Sequence, residues 1–361
     1  MFKNFLVKFL EYFLKPSRIP EIQKDNIKSI LVVRQHDQLG DMLCAVPLLR
    51  TLRTLFPDAY IALIASPVNY EIMKHHPYVN EVLNYDKQVL SHSFDDAQKF
   101  VRTLRARQFD LAIVPATVSV SVTSDVLALL SGARIRIGAK SLQGKPNQTS
   151  FCFTHPIELD WCNEPHRHQT LRNLDSLRVF DYQENDLSGS IGLTDEEQMN
   201  ARNYLEPYQN KYNLLIGFHP GAGKGENRWN AKKFSEIANK LFIDYQACTV
   251  ITAGGKDAEA LQEMIKHLNY PYVIVQNQPI RSVAAIINEL DAFVSNDTGI
   301  MHVAAGTKTP LLSLFGPTDP LQWSPLGLKN HYVASDNGTM ESISTEQVYS
   351  ELQQIISKSN L

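Results

Sequence analysis

Short apolar runs, each closed by a turn and followed by a helix-spaced stretch, recur along this chain and limit its fold more than any other feature. ILVV begins at Ile30 and breaks at Asp37-Gln-Leu-Gly; a helix is expected from about Met42 to Leu55, and Pro57-Asp58 turns the chain into YIALIAS. FDLAIVPA at 109–116, a helical stretch around Thr123–Leu130 and RIRIGA at 134–139 continue the alternation. Parallel neighbours need a crossover long enough to hold a helix, so this grammar predicts parallel α/β structure. The segment 140–165 reads as irregular, HRHQTLRNLDSLRVF as a helix, and 183–211 as a polar connection with a short helix near Asp195–Leu205. A second α/β block opens with NLLIGFHPG at 213–221 and runs through CTVITAGG, a strand near Tyr272–Val275, DAFVS and PLLSLFG to an amphipathic helix at Ser344–Ile356. The expected divisions are 1–28, 29–190 and 191–361.

The 361 residues suit two domains better than one. A net charge of -3 gives no global electrostatic case for binding nucleic acid, so any anionic ligand must be held by local basic groups or backbone amides. Cys44, Cys152, Cys162 and Cys248 form no CxxC pair and complete no zinc pattern, which fits reduced thiols in the cytoplasm. No apolar stretch reaches the roughly 18 residues of a membrane span. Residues 1–15 instead place Phe2, Phe5, Leu6, Phe9, Leu10, Phe13 and Leu14 at helical spacing beside Lys3, Lys8 and Lys15. Such a helix fits a lipid interface or a hydrophobic patch on protein equally well.

Three loops, each just after an expected strand, carry residues suited to chemistry. Gly40-Asp41 places a carboxylate at a helix start, where a cap is the ordinary reading and a catalytic acid or base the sharper one. HPGAGKGENRW, 219–229, combines small residues at Gly221, Ala222 and Gly223 with the cations Lys224 and Arg228; Trp229 reads as core. Asn296-Asp297-Thr298-Gly299-Ile-Met-His302 would aim free helix amides at an anion, with His302 one turn further on.

Over roughly residues 29–340 these segments resemble glycosyltransferase family nine, the ADP-heptose:lipopolysaccharide heptosyltransferases. The resemblance rests on LGD with its following P-LL-R-L-FP-A helix, on HPGA…RW, and on DTGxxHxAA followed by P-xx-xLFGPTDP. It implies a GT-B fold, two facing Rossmann-like domains with a ligand cleft between them, the first on the acceptor side and the second binding nucleotide sugar. It implies Asp41 as the catalytic carboxylate, Thr298, Gly299 and His302 as diphosphate and sugar contacts, and Asp297 as the acidic residue gripping the transferred sugar. His168 and Arg172 match an acceptor-side segment; Arg136 is a further candidate for acceptor phosphates or sugar acids. Gly221, Ala222, Lys224 and Arg228 complete the donor loop, and Asp257 or Glu259 could bond a ribose hydroxyl or simply cap a helix. Family members often carry a lysine just before the Arg/His-Trp pair, where this chain has Asn227; Lys224 stands three residues earlier.

The implied reaction is inverting transfer of a sugar, heptose from ADP-heptose being the expected one, onto a lipopolysaccharide core or related lipid-linked saccharide. No DxD cation site stands out, since Asp95-Asp96 falls in an apparent helix, so no metal or other cofactor is expected. The partners are then a nucleotide sugar and a lipid-linked acceptor, with membrane-surface contact through residues 1–15 and a cytoplasmic, inner-face location. Other readings are the same fold with a different donor or acceptor, a GT-B nucleotide-sugar epimerase, and an inactive adaptor. Retention of Asp41, Asp297 and His302 together speaks against the adaptor.

Overall fold

The computed structural model describes residues 19–36, 38–88 and 93–359. The amphipathic helix expected over 1–15 lies outside them. The chain divides into two compact units, Met1–Leu187 and Ser188–Leu361.

The strands of the first unit are β1 (Ser29–Arg34), β2 (Tyr60–Ala65), β3 (Glu81–Asn84), β4 (Leu111–Ile113), β5 (Ile135–Leu142), β6 (Lys145–Pro146) and β7 (His155–Leu159). Their order is β3-β2-β1-β4-β5-β6, with β7 also paired to β5. Every pairing is parallel except β5 with β6. Leu31, Val33, Ala62, Ile64 and Ala112 feed one core cluster together with Leu104 and Leu127 from the crossover helices Phe94–Ala106 and Val122–Leu130. Strands covered by helices on both faces explain the continuous apolar runs.

Two departures from the sequence reading have local causes. The single helix expected from Met42 to Leu55 is two, Leu39–Leu43 and Val46–Leu55. Pro47 has no N–H to donate, and its ring would strike the carbonyl one turn back, so the helix restarts with proline in its first turn. The stretch 140–165 contains β6 and β7. Pro156 sits in β7, which among the described residues pairs only with β5, and proline is tolerated on such an edge strand.

The second unit holds β8 (Leu214–His219), β9 (Ala247–Ala253), β10 (Tyr272–Gln276), β11 (Ala292–Asn296), β12 (Leu311–Phe315) and β13 (Asn330–Ala334). The order is β10-β9-β8-β11-β12-β13, and all pairings are parallel. One core cluster lies under the helices Ala231–Tyr245 and Thr345–Ser359, and a second gathers Leu215, Val250, Val275, Ile287 and Phe293. After β9 the chain makes a single 3-10 turn, Gly255–Asp257, and continues as the helix Ala258–Lys266.

In both units the strand order reverses beside the first strand: between β1 and β4, and between β8 and β11. Chain leaving adjacent strands there departs to opposite faces, which opens a crevice at the strand carboxyl ends.

Candidate active site

In the first unit Arg34 closes β1 and is buried, 3% exposed. Its Nη1 donates to the carbonyl of Pro115, just past β4, at 3.3 Å, and its Nη2 donates to the carbonyl of Asp41 at 3.2 Å. The same Nη2 lies 3.5 Å from Asp41 Oδ1. One guanidinium therefore fastens the two strand ends of the crevice to the carboxylate between them. Burial lowers the Arg34 pKa and the Asp41 charge opposes that shift, as expected for a buried cation kept by its anion. Asp41 is the third residue of the helix Leu39–Leu43, and its Oδ1 is buried without a hydrogen bond from any described residue. One turn further, burial pushes the Cys44 thiol up to about 12, with the Asp41 charge adding to it.

The acceptor-side candidates separate. His168 caps the helix Gln169–Leu174, its Nδ1 accepting from the Thr170 amide at 3.1 Å. That helix packs on Val46–Leu55, and Asn173 Nδ2 donates to the Cys44 carbonyl at 3.4 Å, so the segment is tied to the Asp41 loop. The Arg172 guanidinium lies 4.8 Å over the Trp161 ring and donates to Pro165 O at 3.2 Å. Arg136 is not brought to this end. Its Nε and Nη1 donate to the carbonyls of Cys152 and Ala133 at 2.6 and 2.7 Å, which holds together the amino ends of β7 and β5. Burial lowers its pKa.

In the second unit three loops converge past β8, β11 and β12. Asn296, fully buried at the end of β11, donates from Nδ2 to the carbonyls of Pro220 and Gly221 at 3.0 and 3.1 Å, and its Oδ1 accepts from the Trp229 amide at 3.0 Å. It thus pins the HPGAGK loop at both ends. Trp229 is core, edge-on to Phe234 at 4.9 Å, with its indole N–H donating to Ile343 O. Asp297 follows. Asn227 Nδ2 donates to Asp297 Oδ2 at 2.9 Å and to Thr318 Oγ1 at 3.3 Å. Burial raises the Asp297 pKa, while the Thr318 hydroxyl and the Lys224 charge pull it down.

Thr298 is extended and makes no side-chain cap, and the helix runs Gly299–Ala305 with His302 buried edge-on to Trp323 at 6.4 Å. Arg228 reaches Glu259 at 3.4 Å and the Ala222 carbonyl at 3.5 Å. Asp257 turns back on its own loop. Its Oδ2 accepts from the Gly254 amide at 2.8 Å and lies 3.6 Å from His219 Nε2. The backbone at Gly221 runs so close that a β-carbon there would fall 2.0 Å from Asp257 Oδ1. Burial lowers the His219 pKa, against the pull of Asp257. An open cavity of about 780 Å³ beside the loop is lined by Gly225, Arg228, Asn230, Glu259 and Lys266. None of Asp297, Thr298, Gly299 and His302 lines it, so it is distinct from the convergence of loops.

Residues 97–353 match the model of glycosyltransferase family 9 (heptosyltransferase). The chain belongs to that family. It is a glycosyltransferase with the GT-B fold of two Rossmann-like domains. The matched span takes in both donor-side loops but starts beyond Asp41. Similarity to whole proteins extends further. The chain is 26% identical over 296 residues to lipopolysaccharide heptosyltransferase 3 of Escherichia coli, covering 79% of this chain and 83% of that protein. Among solved structures, the family 9 glycosyl transferase of Veillonella parvula superposes with a TM-score of 0.79 at 22% identity, over 92% of this chain and 97% of that one. The E. coli ADP-heptose lps heptosyltransferase II gives 0.76 at 23% identity, over 92% and 100%.

Sequence reasoning missed Arg34 and Thr318 and saw Asn227 only as a departure from pattern. Arg34 had a signal: a charged residue closing a buried strand run, which must find a partner. Thr318 stood inside the LFGPTDP segment, but nothing local singled it out, because its role depends on two other loops.

Proposed function

We propose that this family 9 enzyme transfers heptose from ADP-heptose to a lipopolysaccharide core saccharide with inversion at the anomeric carbon. The observation that carries the reading is a carboxylate at the strand reversal of each unit, set in different surroundings: Asp41 against a buried guanidinium, Asp297 among an amide, a hydroxyl and a lysine charge. The acceptor hydroxyl oxygen forms the new bond to the anomeric carbon as the bond from that carbon to the diphosphate oxygen breaks. Asp41 takes the hydroxyl proton as general base, and the leaving diphosphate keeps the electron pair. Lys224, Arg228 and the amides at Thr298 and Gly299 balance its charge. His168 and Arg172, tied to the Asp41 loop, orient the acceptor. The E. coli relative and neighbour, named for lipopolysaccharide and ADP-heptose, support this choice of substrates.

The reading includes turnover without a metal. Among the described residues no group of three or more His, Cys, Asp or Glu is placed to hold one. It also places the enzyme at the cytoplasmic face of the inner membrane. Among the described residues no helix is long and apolar enough to cross a membrane. Loss of vesicle binding on removal of residues 1–15 from a chain that still folds would support the surface location; full-length protein that ignores anionic vesicles would refute it.

The deciding experiment incubates the purified chain with ADP-heptose and a heptose-deficient lipopolysaccharide, with and without EDTA, and follows acceptor mass. One added heptose in both arms is expected. No addition from ADP-heptose, with addition from a GDP- or UDP-sugar, would overturn the donor. Loss with EDTA that magnesium or manganese restores would overturn metal independence.

A further inference from the structure

Asn227 is 6% exposed, and its amide nitrogen is fully committed. Nδ2 donates to Asp297 Oδ2 at 2.9 Å and to Thr318 Oγ1 at 3.3 Å, with the Asp297 carbonyl at 3.5 Å. The carboxylate fixes which way the amide faces, because a flipped amide would set oxygen against oxygen. Oδ1 is therefore the atom of the amide turned away from the carboxylate, and it is buried without a hydrogen bond from any described residue. Leaving such an acceptor unpaired is unfavourable, and native structures seldom do so without a ligand, a water or a function to explain it. The three residues come from the loops after β8, β11 and β12, so the acceptor sits where those loops converge.

Its chemistry excludes one class of ligand group and fits another. A phosphate offers lone pairs and negative charge, which an amide oxygen beside a carboxylate repels. A sugar hydroxyl offers a proton, which both Asn227 Oδ1 and Asp297 can accept. We infer that Asn227 is a specificity-determining residue for the transferred sugar: with Asp297 it presents a two-acceptor edge to sugar hydroxyls and takes no part in holding the diphosphate. Phosphate charge is left to Lys224 and Arg228. The inference rests on the nucleotide-sugar reading above and assigns the position before Arg228-Trp229 to the sugar.

The test is calorimetric binding of ADP and of ADP-heptose to the full-length chain and to N227A, N227S and N227K, with a melting curve for each variant. A hydroxyl-recognising site is disrupted by loss of one buried partner. In N227A and N227S the affinity for ADP-heptose relative to ADP should fall about tenfold, with ADP itself within about twofold of wild type. N227K should tighten ADP and lose the preference for the sugar. Parallel weakening of both ligands in N227A and N227S, or no change in either, would overturn the assignment. So would an N227K that tightens both ligands equally. If the ratio shifts as expected but no sugar reaches lipopolysaccharide, the sugar assignment stands and the acceptor reading falls. A wild-type chain that binds none of the ADP-, GDP- and UDP-sugars overturns both.

Discussion

The two strand reversals of this protein solve the same placement problem with opposite electrostatics. Each puts an aspartate in the segment that follows a largely buried strand. In the first unit that aspartate neighbours Arg34, a guanidinium 3% exposed, at 3.5 Å. In the second, the groups bonded to the aspartate are neutral, Asn227 and Thr318, and burial raises its pKa. A buried charge is tolerated when an opposite charge and hydrogen bonds accompany it. Arg34 therefore makes the first site an ion pair whose cation is also held by the backbone carbonyls of Pro115 and Asp41. The second site is a hydrogen-bonding surface, shaped to match hydroxyls. Equal topology does not confer equal chemistry; the side chain set directly against each carboxylate decides it.

The largest effect should come from breaking the first site. Asp41→Asn removes the proposed base while keeping shape, and turnover should fall by about 10²–10⁴, with ADP-heptose affinity within about twofold of wild type by calorimetry. Turnover within about threefold of wild type would remove Asp41 from the base role and leave the donor site unaffected. Because Arg34 loses its anion, the same variant should also melt earlier, by an amount that Arg34→Met in the same background recovers.

A smaller effect tests how closely the donor loop is built. Gly221 and Gly223 lie two residues apart, yet a β-carbon at Gly221 meets Asp257 at 2.0 Å whereas one at Gly223 meets nothing within 4 Å. Gly221→Ala must push Asp257 off the Gly254 amide and away from His219. It should weaken ADP binding by about tenfold, in line with the roughly 1–3 kcal/mol of an overpacked site. Gly223→Ala should bind normally. Equal behaviour of the two would show that the Asp257 contact has no bearing on the donor.

How much of this was legible in the sequence follows from which interactions are local. The β/α alternation was readable because strands buried on both faces read as near-continuous apolar or β-branched runs, as ILVV and CTVITA do. Edge strands escape that rule. HPIEL and NHYVA are half-polar, since one side of each faces no further strand, and neither announced itself. Asp41, Asp297 and His302 were found through motif resemblance, whose residues are close in sequence. The network that gives Asp297 its character was not, because Asn227 and Thr318 reach it across 70 and 21 residues of chain. Arg136 shows the converse. A cation in a basic stretch suggested an acceptor contact, but backbone carbonyls at the strand amino ends satisfy it.

The raised Asp297 pKa gives a third, milder prediction, in stability. Between the usual aspartate value near 4 and its higher native value, the folded protein keeps a proton that the unfolded chain has released. Stability therefore falls as pH rises through that window, by at most about 1.4 kcal/mol per pH unit. Asp125 and Asp291 are also raised by burial and slope the same way, so the informative quantity is a difference. Asp297→Asn removes one such group, and its stability relative to wild type, from urea unfolding at a series of pH values, should improve from pH 4 upward. A constant difference would mean that Asp297 titrates alike in both states, with the Thr318 hydroxyl and the Lys224 charge offsetting its burial.

The smallest effect concerns the other end of the same segment. Lys329 Nζ donates to the carbonyl of Ala305 at 2.8 Å and to that of Thr309 at 3.4 Å, so it caps the helix whose start carries Thr298 and Gly299. Burial lowers its pKa to about 8, well under the ordinary lysine value. Between the two values the unfolded chain binds a proton that the folded protein does not, so this group makes stability rise with pH from about 8 to about 10.4. Below that window the folded protein carries the full burden of a buried ammonium ion. Raised pKa values at Cys248 and Tyr349 act in the opposite sense at alkaline pH, which is why the comparison must be made against a variant that keeps both. Lys329→Met retains most of the packing and has nothing to titrate. Its melting temperature relative to wild type should be highest near pH 7 and should decline by a few degrees toward pH 10, at about 2–4 °C per kcal/mol for a domain of this size. Since the methionine also gives up the cap on Ala305, ADP affinity should fall slightly at every pH. A melting difference that does not move with pH would show that the lysine stays charged in the fold up to pH 10, and the helix that opens at Gly299 would then be capped by an ammonium ion across the whole range rather than only below about pH 8.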